Sequence, residues 1–161
     1  MKKLLITLTL LLAGTLAWAG NPAAKVQTLV NEFRHNEGFD GITLGPLGLS
    51  LVKTLALSDS DMDAEDREVL KAFTHIRRLS ILDFEDARPD VKERFVSRVK
   101  KILEGMELIL EAKDDGSRLS IYGIDNGKEI KDCILFDPSG TLICVRGSVT
   151  VEKLMAAVNN D

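Results

Sequence analysis

The C-terminal half of the chain alternates apolar and polar residues in four runs, about Met106–Ala112, Arg118–Asp125, Glu129–Phe136 and Leu142–Val149. They are separated by Asp114-Asp115-Gly116, Asp125-Asn126-Gly127 and Asp137-Pro138-Ser139-Gly140. Aspartate, asparagine and glycine close tight turns, and links this short join antiparallel neighbours. An antiparallel four-strand meander is therefore the first constraint on the fold. Ile76 to Glu85 alternates in the same way, and Ile42 to Leu44 is long enough for a short strand. The meander is thus expected in the C-terminal half of a larger, mixed sheet.

Helical signals fill the rest. Asn21 before Pro22 is a helix start, because Asn caps free amides and Pro needs no partner at the first helical position. Val26, Leu29, Val30 and Phe33 follow at one-face spacing, and Gly38 supplies a stop. Leu47 to Leu57 predicts a second, largely buried helix. Asp63 is placed to cap a third, with Val69, Leu70 and Phe73 inward. Pro89 opens the next, where Val91, Phe95, Val96, Val99, Ile102 and Leu103 form one stripe and Lys92, Arg94, Arg98, Lys100 and Lys101 lie off it. Gly105 ends it. Thr150 is placed to cap a C-terminal helix carrying Val151, Leu154, Met155 and Val158. The expectation is a single α+β domain with helices packed on one face of the sheet.

Met1 to Ala19 reads as an export signal: Lys2 and Lys3 form a positive start, Leu4 to Leu12 an apolar core, and Ala17-Trp18-Ala19 a cleavage pattern. Cleavage after Ala19 leaves the domain at residues 20–161, changes the formal charge from −4 to −6, and removes the only tryptophan. The product is expected in the periplasm or outside the cell. No cysteine stands near the cleavage point to carry a lipid anchor. The apolar stretch from Ile42 to Leu57 is interrupted by Gly45, Pro46 and Gly48 and carries Lys53, so no later membrane span is expected.

An oxidising compartment raises the question of a disulfide between Cys133 and Cys144. A two-residue loop at Pro138-Ser139 would pair them, but would also set Lys131 opposite Arg146, like charge against like. Asp-Pro-Ser-Gly better suits a type I turn followed by a left-handed glycine bulge. That register sets Asp132 opposite Arg146 and Leu135 opposite Ile143, and turns the two cysteines to opposite faces as free thiols.

No complete catalytic or metal constellation is found. Asp59 to Asp66 begins like a calcium loop, but Ala64 and Leu70 stand where glycine and a bidentate glutamate are required. Asp83 and Glu85 share a strand face near Asp86, a carboxylate pair of the kind glycoside hydrolysis uses. With so few aromatic residues to stack on sugars, they read as surface acids. His35 and His75 have no partner at ligand spacing, Ser50 lacks a nucleophile elbow, and the cysteines are not in Cys-x-x-Cys. Arg77-Arg78 and Lys100-Lys101 read as solvated faces on an acidic chain, with no nucleic-acid partner implied. No Gly-Lys-Ser/Thr follows the glycines between 38 and 48, so no phosphate loop is formed. No cofactor is expected.

Three stretches carry a resemblance: Ile76-Arg77-Arg78-Leu79-Ser80-Ile81-Leu82, Gly116-Ser117-Arg118-Leu119-Ser120-Ile121-Tyr122-Gly123, and Cys144-Val145-Arg146-Gly147-Ser148-Val149-Thr150-Val151-Glu152-Lys153-Leu154. In these the chain resembles an uncharacterised family of small exported proteins, domain of unknown function 4252, over about residues 22–158. The resemblance implies a compartment and a domain extent and carries no catalytic residue. Many members look like lipoproteins, and this chain departs from them in lacking the lipid-bearing cysteine. The function expected is a non-catalytic exported domain that binds an envelope protein or a small ligand at an exposed strand edge or apolar groove. The alternative is a small extracytoplasmic hydrolase using Asp83 and Glu85.

Overall fold

A computed structural model describes residues 20–57, 75–114, 117–125 and 127–150. The expected signal Met1–Ala19, the helix after Asp63 and the C-terminal helix after Thr150 lie outside these residues. Asn21 starts α1 (Pro22–Phe33) as expected, its Oδ1 accepting from the amides of Ala23 and Ala24 at 2.9 and 3.4 Å. β1 (Asp40–Leu44) and α2 (Pro46–Leu57) follow, then β2 (Ile76–Asp83) and α3 (Pro89–Leu103). The chain then runs through β3 (Glu107–Asp114), β4 (Ser117–Asp125), β5 (Glu129–Asp137) and β6 (Thr141–Thr150).

The six strands form one sheet in the order β1-β2-β6-β5-β4-β3. Every ladder is antiparallel, which corrects the expected mixed sheet. β3 to β6 are the meander, and β2 returns from earlier in the chain to lie against β6. The turn after Asp137 sets Leu135 against Ile143 and Phe136 against Leu142, the register read from Asp-Pro-Ser-Gly, but Gly140 does not adopt the left-handed conformation expected of it. Asp137 Oδ1 accepts from the Ser139 amide at 2.8 Å, which holds that turn.

One face is covered by α1 and α3. Their Val26, Val30, Phe33, Phe95 and Val99 bury against Leu82, Ile134, Phe136, Leu142 and Cys144. At its centre the rings of Phe33, Phe39 and Phe84 stand 4.9–5.4 Å from that of Phe95, centroid to centroid. The opposite face buries Ile121, Ile130, Cys133, Val145 and Val149 together with Leu49 of α2. The helices therefore lie on both faces of the sheet, which corrects the expectation of helices on one face only. α2 is also not largely buried: of its described side chains only Leu49 is, while Leu47, Leu51 and Val52 are exposed. Its sequence, PLGLSLVKTLAL, is apolar nearly all round, so no stripe marks an inward side.

Four of the five ladders are broken at neighbouring positions. The breaks fall between Ile76 and Arg78, Leu108 and Leu110, Tyr122 and Ile124, and Lys131 and Ile134. An extra residue bends a strand locally. Bulges in adjacent strands therefore crease the sheet crosswise, from β2 through β5 to β3.

Candidate functional site: a basic notch on the crease

Where the crease crosses β5, Asp132 adopts φ 51°, the left-handed region that few residues other than glycine tolerate and that Asn and Asp tolerate better than most. That turn aims its carboxylate at three donors. It accepts from Asn21 Nδ2 at 2.6 Å, Arg146 Nε at 3.0 Å and the Gly147 amide at 3.2 Å. The cap of α1, the bulge of β5 and the middle of β6 are thus tied at one carboxylate, whose side chain is only 14% exposed. Burial pushes its pKa up, but the hydrogen bonds from Asn21, Arg146 and Gly147 and the charge of Arg146 outweigh this and hold it below the ordinary value.

This carboxylate stabilises the fold wherever it is ionised in both states. A lowered folded pKa means that contribution is present above about pH 4 and is lost as pH falls through the folded pKa. Asp132→Asn is expected to be about 1.5–3 kcal/mol less stable at pH 7, as charged hydrogen bonds are lost. The gap in melting temperature from wild type should narrow progressively over the range below about pH 4. A constant gap across that range would show that the charge is not what Asp132 contributes.

Around this clasp lies an excess of positive charge. A cavity of about 430 Å³ is lined by His75, Arg77, Lys131, Asp132, Gly147 and Ser148. A second, of about 350 Å³, is lined by Pro46, Arg77, Arg78 and Arg146, so Arg77 belongs to both. Arg78 lies directly opposite Arg146 on the paired strands, a like-charge placement that ordinarily disfavours pairing. Asp132 relieves one of the two. Among the described residues, Arg77, Arg78 and Lys131 have no carboxylate partner. Four cations therefore gather around one acid on a chain whose net charge is −4. Bulged strands commonly re-aim side chains in this way at binding sites.

The acids singled out in the sequence are elsewhere. Asp83 ends β2, and its Oδ1 accepts from the Glu85 amide at 3.0 Å, closing a local turn. Lys92 donates to the Glu85 carbonyl. The two carboxylates do not line the notch. The acidic run Asp59–Asp66 lies outside the described residues, among which no group of three or more His, Cys, Asp or Glu could hold a metal ion. His35 is exposed and accepts from Arg34 Nε at 3.2 Å, while His75 comes to the notch. Arg77 and Arg78 are both exposed, as the sequence reads them; what the sequence did not show is that they line the notch. The available signals were Gly147 in mid-strand, which marks a bulge or a close backbone approach, and Asp132 opposite Arg146.

Cys133 and Cys144 are free and buried in the cores on opposite faces, as the register required. Burial pushes both thiols up to about 12, so almost no thiolate exists at neutral pH. A thiol-exchange reagent at pH 8 is expected to label neither in native protein and both in urea, with labelling rates that follow unfolding. Fast labelling of native protein would contradict this burial.

No curated protein and no solved structure matches the chain. A family model does, over residues 33–157, from the last residue of α1 through the whole sheet. The chain belongs to the family described as Domain of unknown function (DUF4252).

Proposed function

We propose that the chain is a non-catalytic binding domain, exported to the cell envelope through Met1–Ala19, that holds an anionic group in the notch between β2, β6 and β5. One observation carries this reading: Arg77, Arg78, Lys131 and Arg146 converge on adjoining cavities with Asp132 as the single acid among the lining residues. Guanidinium groups take oxyanions through paired N–H donors, and an unmatched cluster raises the local anion concentration. Arg146 is held by Asp132 through Nε, which leaves its terminal nitrogens for a ligand. Neither Asp83 nor Glu85 is placed to act on such a ligand.

Calorimetric titration of the full chain with inorganic pyrophosphate tests it. Saturable binding weakened by salt is expected. An Arg77→Gln/Arg78→Gln variant should bind at least about tenfold more weakly, in line with the loss of charged hydrogen bonds. Equal binding by that variant, with its melting temperature unchanged, would remove the notch from the function.

A further inference from the structure

The helix that borders the notch carries exposed leucines close to it in the chain. Pro46, the first residue of α2, lines the same cavity as Arg77, Arg78 and Arg146. The next residue, Leu47, is 88% exposed, and Leu51, one turn further along the same side of the helix, is 62% exposed. Residues four apart on a helix lie one above the other, so these two leucines form a strip leading away from the cavity. Neighbouring exposed leucines beside a charged site offer apolar surface for a ligand to cover.

We propose that the ligand of the notch is a phosphate-bearing amphiphile, its head held by Arg77, Arg78 and Arg146 and its alkyl chain lying along Leu47 and Leu51. This rests on the anion-binding reading of the notch and extends it to the rest of the ligand. The complementarity is of two kinds. Three guanidinium groups around one cavity offer more paired donors than the two oxygens of a carboxylate can use, whereas a phosphate monoester presents three oxygens. Burying alkyl carbons against the exposed leucines removes apolar surface from water on both partners. A purely hydrophilic anion would fill the cavity and leave the strip unexplained.

The test uses n-alkyl phosphates of increasing chain length, each below its micellar concentration, titrated into the full chain alongside inorganic phosphate. Affinity should rise by about two- to fourfold for each methylene that reaches the strip. Leu47→Ser/Leu51→Ser should flatten that dependence, and Arg77→Gln/Arg78→Gln should weaken every member of the series. Both leucines are exposed, so their replacement leaves the core intact, and an unchanged melting temperature checks this. Equal affinity for inorganic phosphate and the long-chain esters would overturn the amphiphile and leave the anion site standing. Binding of neither would overturn both. A dependence on chain length that survives Leu47→Ser/Leu51→Ser would show that the chain does not lie on α2.

Discussion

Phe95→Ala is expected to destabilise the domain by about 3–5 kcal/mol, the range for removing a fully buried ring from a core that cannot collapse around the void. Phe95 has no exposed surface, and its ring meets those of Phe33 on α1, Phe39 after it and Phe84 after β2. The void would open where both helices meet the sheet. Refilling it needs α3 to move toward α1, and the ion pair of Arg98 with Glu32 and the seating of α1 on β6, β2 and β5 oppose that movement. Edge-to-face contacts with Phe39 and Phe84 add a smaller loss, about 0.5–1.5 kcal/mol for each pair. Urea unfolding followed by far-ultraviolet circular dichroism measures the total. A midpoint shift worth less than about 1 kcal/mol would mean that the ring cluster is not the keystone of that face.

The helices on that face were legible because their apolar residues repeat at helical spacing: Val26, Leu29, Val30 and Phe33 are all buried on α1, and Phe95, Val99 and Leu103 on α3. The β5–β6 register was legible for a different reason. Turn chemistry is local, and Asp137-Pro138-Ser139-Gly140 leaves few ways to close. What could not be read depends on long-range order. That β2 inserts beside β6, bringing Arg78 opposite Arg146, is not written in either segment, since a hydrophobic alternation does not name its partner strand. α2 failed on the opposite ground, being apolar on every side, so burial had to be decided by where the sheet left room. The notch combines both failures. Its residues come from β2, β5 and β6, and its shape comes from bulges that appear only when the strands are paired.

Gly147→Ala bears on fold and site together. Gly147 has φ 135°, a conformation side chains rarely adopt, and a Cβ placed there would stand 2.2 Å from the His75 carbonyl oxygen and 2.9 Å from Ile76 Cα. Those atoms are backbone, and Ile76 is the residue that pairs with Gly147, so relief requires β2 and β6 to separate just where β2 bulges. The Gly147 amide also donates to Asp132, so separation loosens the clasp. Conformational strain alone costs about 1–3 kcal/mol, and with the backbone clash added the loss should exceed about 3 kcal/mol. Gly127→Ala provides the comparison. It has φ 86° and open space where the new methyl would stand, so it carries strain without a clash and should cost about 1–2 kcal/mol. If Gly147→Ala proved no worse than Gly127→Ala, the close approach of β2 to β6 would be wrong. Should it fold at low temperature, its affinity for pyrophosphate would fall with its stability, because the backbone that spaces Arg78 from Arg146 is the backbone the methyl displaces.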